Sequence, residues 1–380
     1  MAPSPYWGDE KLWDSKVNNH NSMFDRKGRL WLAAAVRGPN NPHFCKKGSD
    51  HPSAKVFPIE KNVRQLAVLE PKTMEYTFVD TCFGSHHLQF GYDANETVWT
   101  SGAGPVAGWL NTKRFDETGD AASSQGWSPF VLDINANGKR DDYIEPDQPA
   151  DQSRDLRITG GSGTYAVMPH PVDGSVWYTV GVFAGRGGVL RFDPATGLSE
   201  IFYVAQPGFG PRGGDIDKQG VVWVSLGSGH IGSFDRRKCT GPLNGPKATG
   251  DHCAEGWAFH QYPGPGFQGI GENSAESSYY TWVDQHNTLG LGEDVPMSTA
   301  NLMGGLVALK DGKMISLTVP YPLGFYAKGF DGRIDDADAG WKGRGLWTTS
   351  GDRAPWLMEG GKGSLPRVVH FQLRPNPLAH

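Results

Sequence analysis

Short apolar or aromatic runs alternate with polar, glycine-bearing turns along the whole chain, and one phrase recurs among them. It consists of a few apolar residues, an Asp, a tight turn and then a Trp. It reads Met23-Phe24-Asp25-Arg26-Lys27-Gly28-Arg29-Leu30-Trp31, returns from Phe90 through Asp93 to Trp99, again as Asp173-Gly174-Ser175-Val176-Trp177, and again from Asp215 through Asp217 to Trp223. Looser copies are Tyr280-Thr281-Trp282-Val283-Asp284 and Gly329-Phe330-Asp331 with Leu346-Trp347. Each copy predicts strand, turn and strand, and self-similarity at intervals of roughly 40 to 50 residues or more predicts repetition of one supersecondary unit. Most copies are followed by two further strand candidates. Examples are Arg64–Leu69 and Glu75–Val79, Gly188–Phe192 and Glu200–Val204, His230–Phe234 and Trp257–Tyr262, and Gly305–Leu309 and Lys313–Leu317.

Four antiparallel strands per repeat make a propeller blade. The predicted fold is all-β: a single β-propeller domain over residues 1–380 with six blades. A seventh is possible in the long interval between Trp99 and Gly160. The last unit has Arg367–Leu373 and then runs out of chain. Its missing outer strand is expected from the N-terminal segment around Lys11-Leu12-Trp13, which would close the ring and remove a free sheet edge. Residues 133–160 read as a loop inserted in the second blade.

The 52 Gly and 27 Pro punctuate apolar runs and so read as turn residues, and the 13 Trp supply large packing units. A net charge of −5 with no basic stripe argues against a nucleic-acid or anionic-membrane partner. No run reaches the apolar length of a membrane span, and no signal peptide is read at the start. Of the four cysteines, Cys239 and Cys253 bracket a Gly/Pro-rich loop, and Cys45 and Cys82 pair by elimination, with free buried thiols as the alternative. Bridged cysteines would imply a periplasmic or secreted protein. Met1-Ala2-Pro3-Ser4 would then stand in place of a removed signal.

Two constellations carry candidate chemistry. Asp133-Ile134-Asn135-Ala136-Asn137-Gly138-Lys139-Arg140-Asp141-Asp142 has the Asp-x-Asn-x-Asn-Gly pattern of a structural calcium loop. Asp133, Asn135 and Asn137 would supply side-chain oxygens, Lys139 its carbonyl and Asp141 or Asp142 a carboxylate, whereas Glu145 falls one residue beyond the usual closing position. The bland alternative is an Asx-rich turn. The second constellation comes from counting five residues back from each turn Asp, toward one mouth of the central channel. The count reaches His20, Leu88 beside His87, Met168 near Tyr165 and His170, Arg212, Tyr279 and Tyr326. His230 and Glu276 are placed toward the same mouth. His86 and His87 are expected to face opposite ways, as neighbours in a strand do. His20, His86, His87 and His230 are candidate ligands for a channel metal: magnesium, calcium, zinc, copper or iron. Arg212 would stabilise an anion, Tyr279 or Tyr326 donate a proton, and Glu276 act as an acid.

The phrase Asp217 to Trp223, followed by Gly227-Ser228-Gly229-His230-Ile231-Gly232-Ser233-Phe234-Asp235, resembles repeats of streptogramin B lyase and NHL-type propellers. The chain also resembles exported bacterial propeller proteins of unassigned function. The lyase resemblance implies a propeller with channel His and Glu residues and magnesium-dependent elimination, with His230 and Glu276 at candidate positions. The expected function is an exported, monomeric, metal-dependent enzyme of lyase or hydrolase type, acting on a small or oligomeric substrate at the channel mouth. The alternatives are a copper or iron oxidoreductase and a non-catalytic propeller binding a glycan or protein.

Overall fold

The structure is a computed structural model that describes residues 18–149, 151–160, 163–182, 186–266, 268–269, 273–276, 278–320, 323–351, 367–376 and 378. The chain separates into two compact units. Among the described residues, one comprises 18–204 with Cys239–Ala254, and the other comprises Ala205–Lys238 and those from Glu255 onward.

The first unit holds three blades. Blade one is the meander β1 (Asn18–Phe24), β2 (Leu30–Ala35), β3 (Gln65–Glu70) and β4 (Glu75–Val79). Blade two is β5 (Leu88–Phe90), β6 (Thr97–Thr100), β7 (Val106–Asn111) and β8 (Gln125–Leu132). After it come the short β9 (Tyr143–Ile144) and β10 (Asp155–Ile158), which belong to the inserted segment. Blade three is β11 (Thr164–Pro169), β12 (Val176–Val180), β13 (Gly188–Phe192) and β14 (Ser199–Tyr203). The insertion does not hang free of the sheet: β10 runs antiparallel to β8, with Leu156 opposite Leu132, and parallel to β9. Thus β8, the outer strand of its blade, gains a further neighbour.

The second unit repeats the plan. Blade four is β15 (Pro211–Ile216), β16 (Val222–Leu226), β17 (His230–Phe234) and β18 (Trp257–Gln261). Blade five is β19 (Thr281–Asp284), β20 (Val295–Ala300), β21 (Gly305–Lys310) and β22 (Lys313–Thr318). Blade six has three strands among the described residues, β23 (Phe330–Ile334), β24 (Arg344–Ser350) and β25 (Arg367–Phe371). Six successive antiparallel meanders make the fold an all-β propeller. The expected closing strand around Trp13 lies outside the described residues.

The recurring Asp and Trp are joined by hydrogen bonds. In blade one, Asp25 Oδ1 accepts from the amides of Lys27 and Arg29 at 2.9 Å each, and Oδ2 accepts from Trp31 Nε1 at 3.0 Å. Blade four repeats this closely: Asp217 Oδ1 accepts from the amides of Gln219 (3.0 Å) and Val221 (2.9 Å), and Oδ2 from Trp223 Nε1 (2.9 Å). Blade three inserts a relay, Trp177 Nε1 donating to Ser175 Oγ (3.1 Å), which donates to Asp173 Oδ1 (2.6 Å). In blade five Asp284 closes a longer turn by accepting from the amides of Thr288 and Leu289. One carboxylate therefore holds the turn and, in blades one and four, also orients an indole that would otherwise bury an unmatched donor.

Successive blades pack face to face inside each unit. Trp31, Leu66 and Val68 of blade one meet Leu88, Val98 and Leu110 of blade two. Trp99 and Phe130 of blade two meet Tyr178, Leu190 and Phe192 of blade three. In the second unit Ile231 packs with Val307 and Leu309, and Met297 and Leu306 pack with Phe330 and Leu346. Each sheet thus buries apolar side chains against its neighbour, which is where blades gain most of their stability.

Both expected disulfides are present, Cys45–Cys82 and Cys239–Cys253, with Cα–Cα distances of 5.3 and 5.0 Å. No helix among the described residues is long and apolar enough to cross a membrane.

Three outcomes are expected. Asp25→Ala strands the Trp31 indole and two turn amides and should cost roughly 2–4 kcal/mol in denaturant unfolding. Asp193→Ala, which removes one turn contact to the Ala195 amide and a 3.8 Å ion pair with Arg191, should cost less than about 1 kcal/mol. Intact mass without reductant should be four hydrogens below that of the reduced chain.

Candidate functional site

A backbone irregularity sets the position of His20. The β1–β2 register places Asn19 opposite Ala34 and Asn21 opposite Ala33, so His20 is the extra residue of a β-bulge. Bulges re-aim a side chain relative to the regular alternation of a strand. The same device recurs at the start of β11, between Thr164 and Val167, and of β15, between Pro211 and Gly214. The inner strands of three blades therefore begin with a bulge, at His20, at Tyr165-Ala166 and at Arg212-Gly213.

His20 meets both histidines that precede β5. Its ring stacks on His86, with centroids 3.9 Å apart and planes 22° apart, and approaches His87 edge-on at 5.3 Å. His86 and His87 lie 4.2 Å apart. A ligating nitrogen from each of the three lies within 4.8 Å of the others. His20 is exposed, His86 half-buried and His87 buried, so the cluster opens to solvent on the His20 side.

The expectation that His86 and His87 face opposite ways is corrected here. Strand β5 begins only at Leu88, so the two histidines lie in an irregular approach to the strand, where alternation does not apply. Their backbones are fixed by Ser101: the His86 amide donates to the Ser101 carbonyl (2.7 Å), and the Ser101 amide donates to the His87 carbonyl (3.0 Å). Leu88 N donates to Asn21 Oδ1 at 3.0 Å and ties this approach to β1.

Blade three completes the surroundings. The Tyr165 carbonyl is 2.8 Å from His87 Nδ1 and also accepts from the Ser101 hydroxyl. A carbonyl can only accept, so Nδ1 carries a proton, and in the neutral ring the lone pair then falls to Nε2. The Tyr165 ring lies 5.2 Å from that of His86 and 4.8 Å from that of His87. Gly102, at φ +70°, sits under His86, where an added Cβ would fall 2.5 Å from the His86 Cβ. Ser101, Gly102 and the Tyr165 carbonyl escaped the sequence reading, because backbone groups and small residues carry no chemical signature of their own. The Ser-Gly step just after β6 is their one local signal.

The other residues nominated for the channel mouth, Arg212, His230, Glu276, Tyr279 and Tyr326, lie in the second unit. The Arg212 guanidinium sits 4.9 Å above the Tyr279 ring, and Lys328 Nζ lies 5.5 Å from the same ring. Two cations thus approach one phenol ring. His230 is buried at the head of β17, with Nδ1 3.1 Å from Ser228 Oγ. Its partner in the opposing strand is Gln261; His260, the next residue back and opposite Ile231, has its imidazole held below its ordinary pKa by burial and then by His230. Glu276 is buried and accepts from the amides of Leu302 (2.7 Å) and Met303 (2.9 Å), so both of its oxygens brace a turn. Tyr326 begins blade six, its amide on Ser350 Oγ and its carbonyl on the Gly351 amide.

The Asp133 loop belongs to the first unit. Asp133 is buried and accepts from Asn137 N, Gly138 N and, across from the disulfide-closed loop, Asn244 Nδ2 at 3.0 Å. Asn135 and Asn137 both direct their side-chain amides to Asp141 Oδ2. Lys139 N donates to Asn137 Oδ1 at 2.8 Å.

No family model matches this chain, and no curated protein matches it. Among solved structures it is similar to virginiamycin B lyase from Staphylococcus aureus, at 10% identity and a TM-score of 0.45 over 95% of this chain and 87% of that one. It is also similar to YCF48 from Cyanidioschyzon merolae, at 10% identity and a TM-score of 0.44 over 90% and 81%. A putative 6-phosphogluconolactonase from Bacteroides uniformis aligns at 12% identity and a TM-score of 0.42 over 93% and 88%. These similarities stand as they are, and the activities of these proteins remain their own.

Gly102→Ala should displace His86. We expect the His20–His86 stack to be lost, seen as altered imidazole shifts in nitrogen-15 NMR. The strained φ adds a stability loss of roughly 1–3 kcal/mol.

Proposed function

We propose that the protein is an exported metal-dependent enzyme of the lyase or hydrolase type, with His20, His86 and His87 as its metal-holding residues. The observation that carries this reading is the convergence of three imidazole nitrogens to within 4.8 Å of one another. Tetrahedral ligation at 2.0–2.1 Å needs donors about 3.3 Å apart, so the stacked His20 and His86 rings would have to rotate to aim their in-plane lone pairs at one ion.

The donor set favours some metals over others. Three neutral nitrogens suit zinc, copper or iron, whereas calcium and magnesium prefer oxygen. Among the metals considered from sequence, the imidazole cluster therefore favours the transition series, and zinc fits lyase or hydrolase chemistry without a redox step. Three protein ligands also leave a coordination position open, as in catalytic rather than structural zinc sites. Such a metal supplies a Lewis acid that polarises a carbonyl or activates water.

The remaining work falls to this chain's own groups. The Tyr165 carbonyl fixes the His87 tautomer, as outer-shell carbonyls do for metal-ligating histidines. The bulge aims His20 across at the other two rings, and its exposure gives a small or oligomeric substrate a route to the centre. Export is supported by the two disulfides, which persist in oxidising compartments.

Elemental analysis of protein loaded with zinc and then desalted should give one equivalent per chain. His20→Ala, His86→Ala and His87→Ala should each lose it, because a site with three protein ligands cannot spare one. Protons compete for the same lone pairs, so retention should fall on acidification. Copper or iron as the metal of the protein purified from its natural source would move the reading to an oxidoreductase. Full zinc retention by all three variants, or no zinc in the parent, would favour a non-catalytic binding propeller.

A further inference from the structure

The Asp133 loop lacks the carboxylate that normally closes a calcium loop at its end. Glu145, the nearest in sequence, is occupied elsewhere: its Oε2 accepts from Arg157 Nε at 2.8 Å and pairs with the same guanidinium through Nη2. A different carboxylate stands at the loop. Asp155, the first residue of β10, is fully buried. Its Oδ2 accepts from the Asp141 amide at 2.8 Å, and its own amide donates to the Asp142 carbonyl at 3.1 Å. That double contact holds the carboxylate against the acidic end of the loop.

Asp155 Oδ1 has no hydrogen-bond partner among the described residues. A buried carboxylate oxygen left in this way costs free energy unless a cation or proton meets it. Burial, joined by the charges of Asp133 and Asp141, pushes the Asp155 carboxyl above the ordinary aspartate range, against the pull of the Asp141 amide and Arg140. Three carboxylates, two side-chain amides and backbone carbonyls are hard oxygen donors of the kind calcium takes.

We infer that the loop from Asp133 to Asp141 binds calcium and that Asp155, supplied by β10 from outside the loop, is the ligand that closes the site. The amides of Asn135 and Asn137, now turned to Asp141, would present their oxygens once the carboxylates face the ion. The site would knit three segments together. Asp133 stands at the end of β8, Asp155 starts β10, and Asp133 also receives Asn244 Nδ2 and, at its carbonyl, the Gly245 amide (2.7 Å) from the loop closed by Cys239–Cys253. Calcium would therefore set the insertion against the outer edge of blade two. This site is separate from the imidazole cluster, and neither depends on the other.

The test is thermal unfolding of the full chain after chelator treatment, with and without added calcium chloride. In the parent, saturating calcium should raise Tm by about 3 °C or more. Magnesium, which demands tighter octahedral geometry, should have little effect. Asp155→Asn should lose the calcium response. Should Asp155→Asn fail to fold, the exposed Asp141→Asn provides the same readout and should also lose most of the shift. Absence of a calcium shift in the parent would overturn the proposal. A full calcium response in Asp155→Asn, or in Asp141→Asn where that variant stands in, would likewise overturn the assignment.

Discussion

Blade architecture here depends on a carboxylate that reaches two ways. Asp25 and Asp217 each close an inner hairpin through two turn amides and then hold the indole of the Trp six residues on. The indole is large and apolar apart from one donor. Giving that donor a fixed acceptor lets the ring pack between sheets at little polar cost. Turn, strand pairing and inter-blade packing are thereby coupled through one side chain. Blade three keeps the logic with Ser175 as intermediary. The clasp also fixes the register of the inner strands, and with it the positions of the residues at their other ends.

Those other ends are where regularity is given up. The bulges at His20, Tyr165-Ala166 and Arg212-Gly213 turn residues out of strand alternation at equivalent places in three blades. A regular strand would send alternate side chains into the inter-blade layers. The bulge places His20 against His86 and His87, and the irregular approach to β5 brings both of those rings to the same side. A rigid clasp at one end of the hairpin and a bulge at the other separate the task of folding from the task of assembling polar groups.

The legible part of this structure was the part encoded locally. The Asp-to-Trp spacing gave the hairpins, and the following apolar runs gave the outer strands to within a residue or two. Counting back from the turn Asp reached His20, Leu88 with His87 beside it, and Arg212, because the hairpins are short and regular. The orientation of His86 was not legible, since no residue marks where β5 begins. Nor was Asp155, which lies well beyond the loop it faces and arrives there through the pairing of β10 with β8. The structural roles of Glu276 and Glu145 depended on partners 26 and 12 residues away in sequence. Long-range backbone contacts of this kind have no local signature in a chain read alone.

Anomalous diffraction from crystals of the zinc-loaded protein, collected on both sides of the zinc edge, tests the central claim most directly. The expected result is one strong edge-dependent peak about 2.0–2.1 Å from a ring nitrogen of each of His20, His86 and His87. An ordered imidazole cluster with no anomalous density between its rings would contradict it.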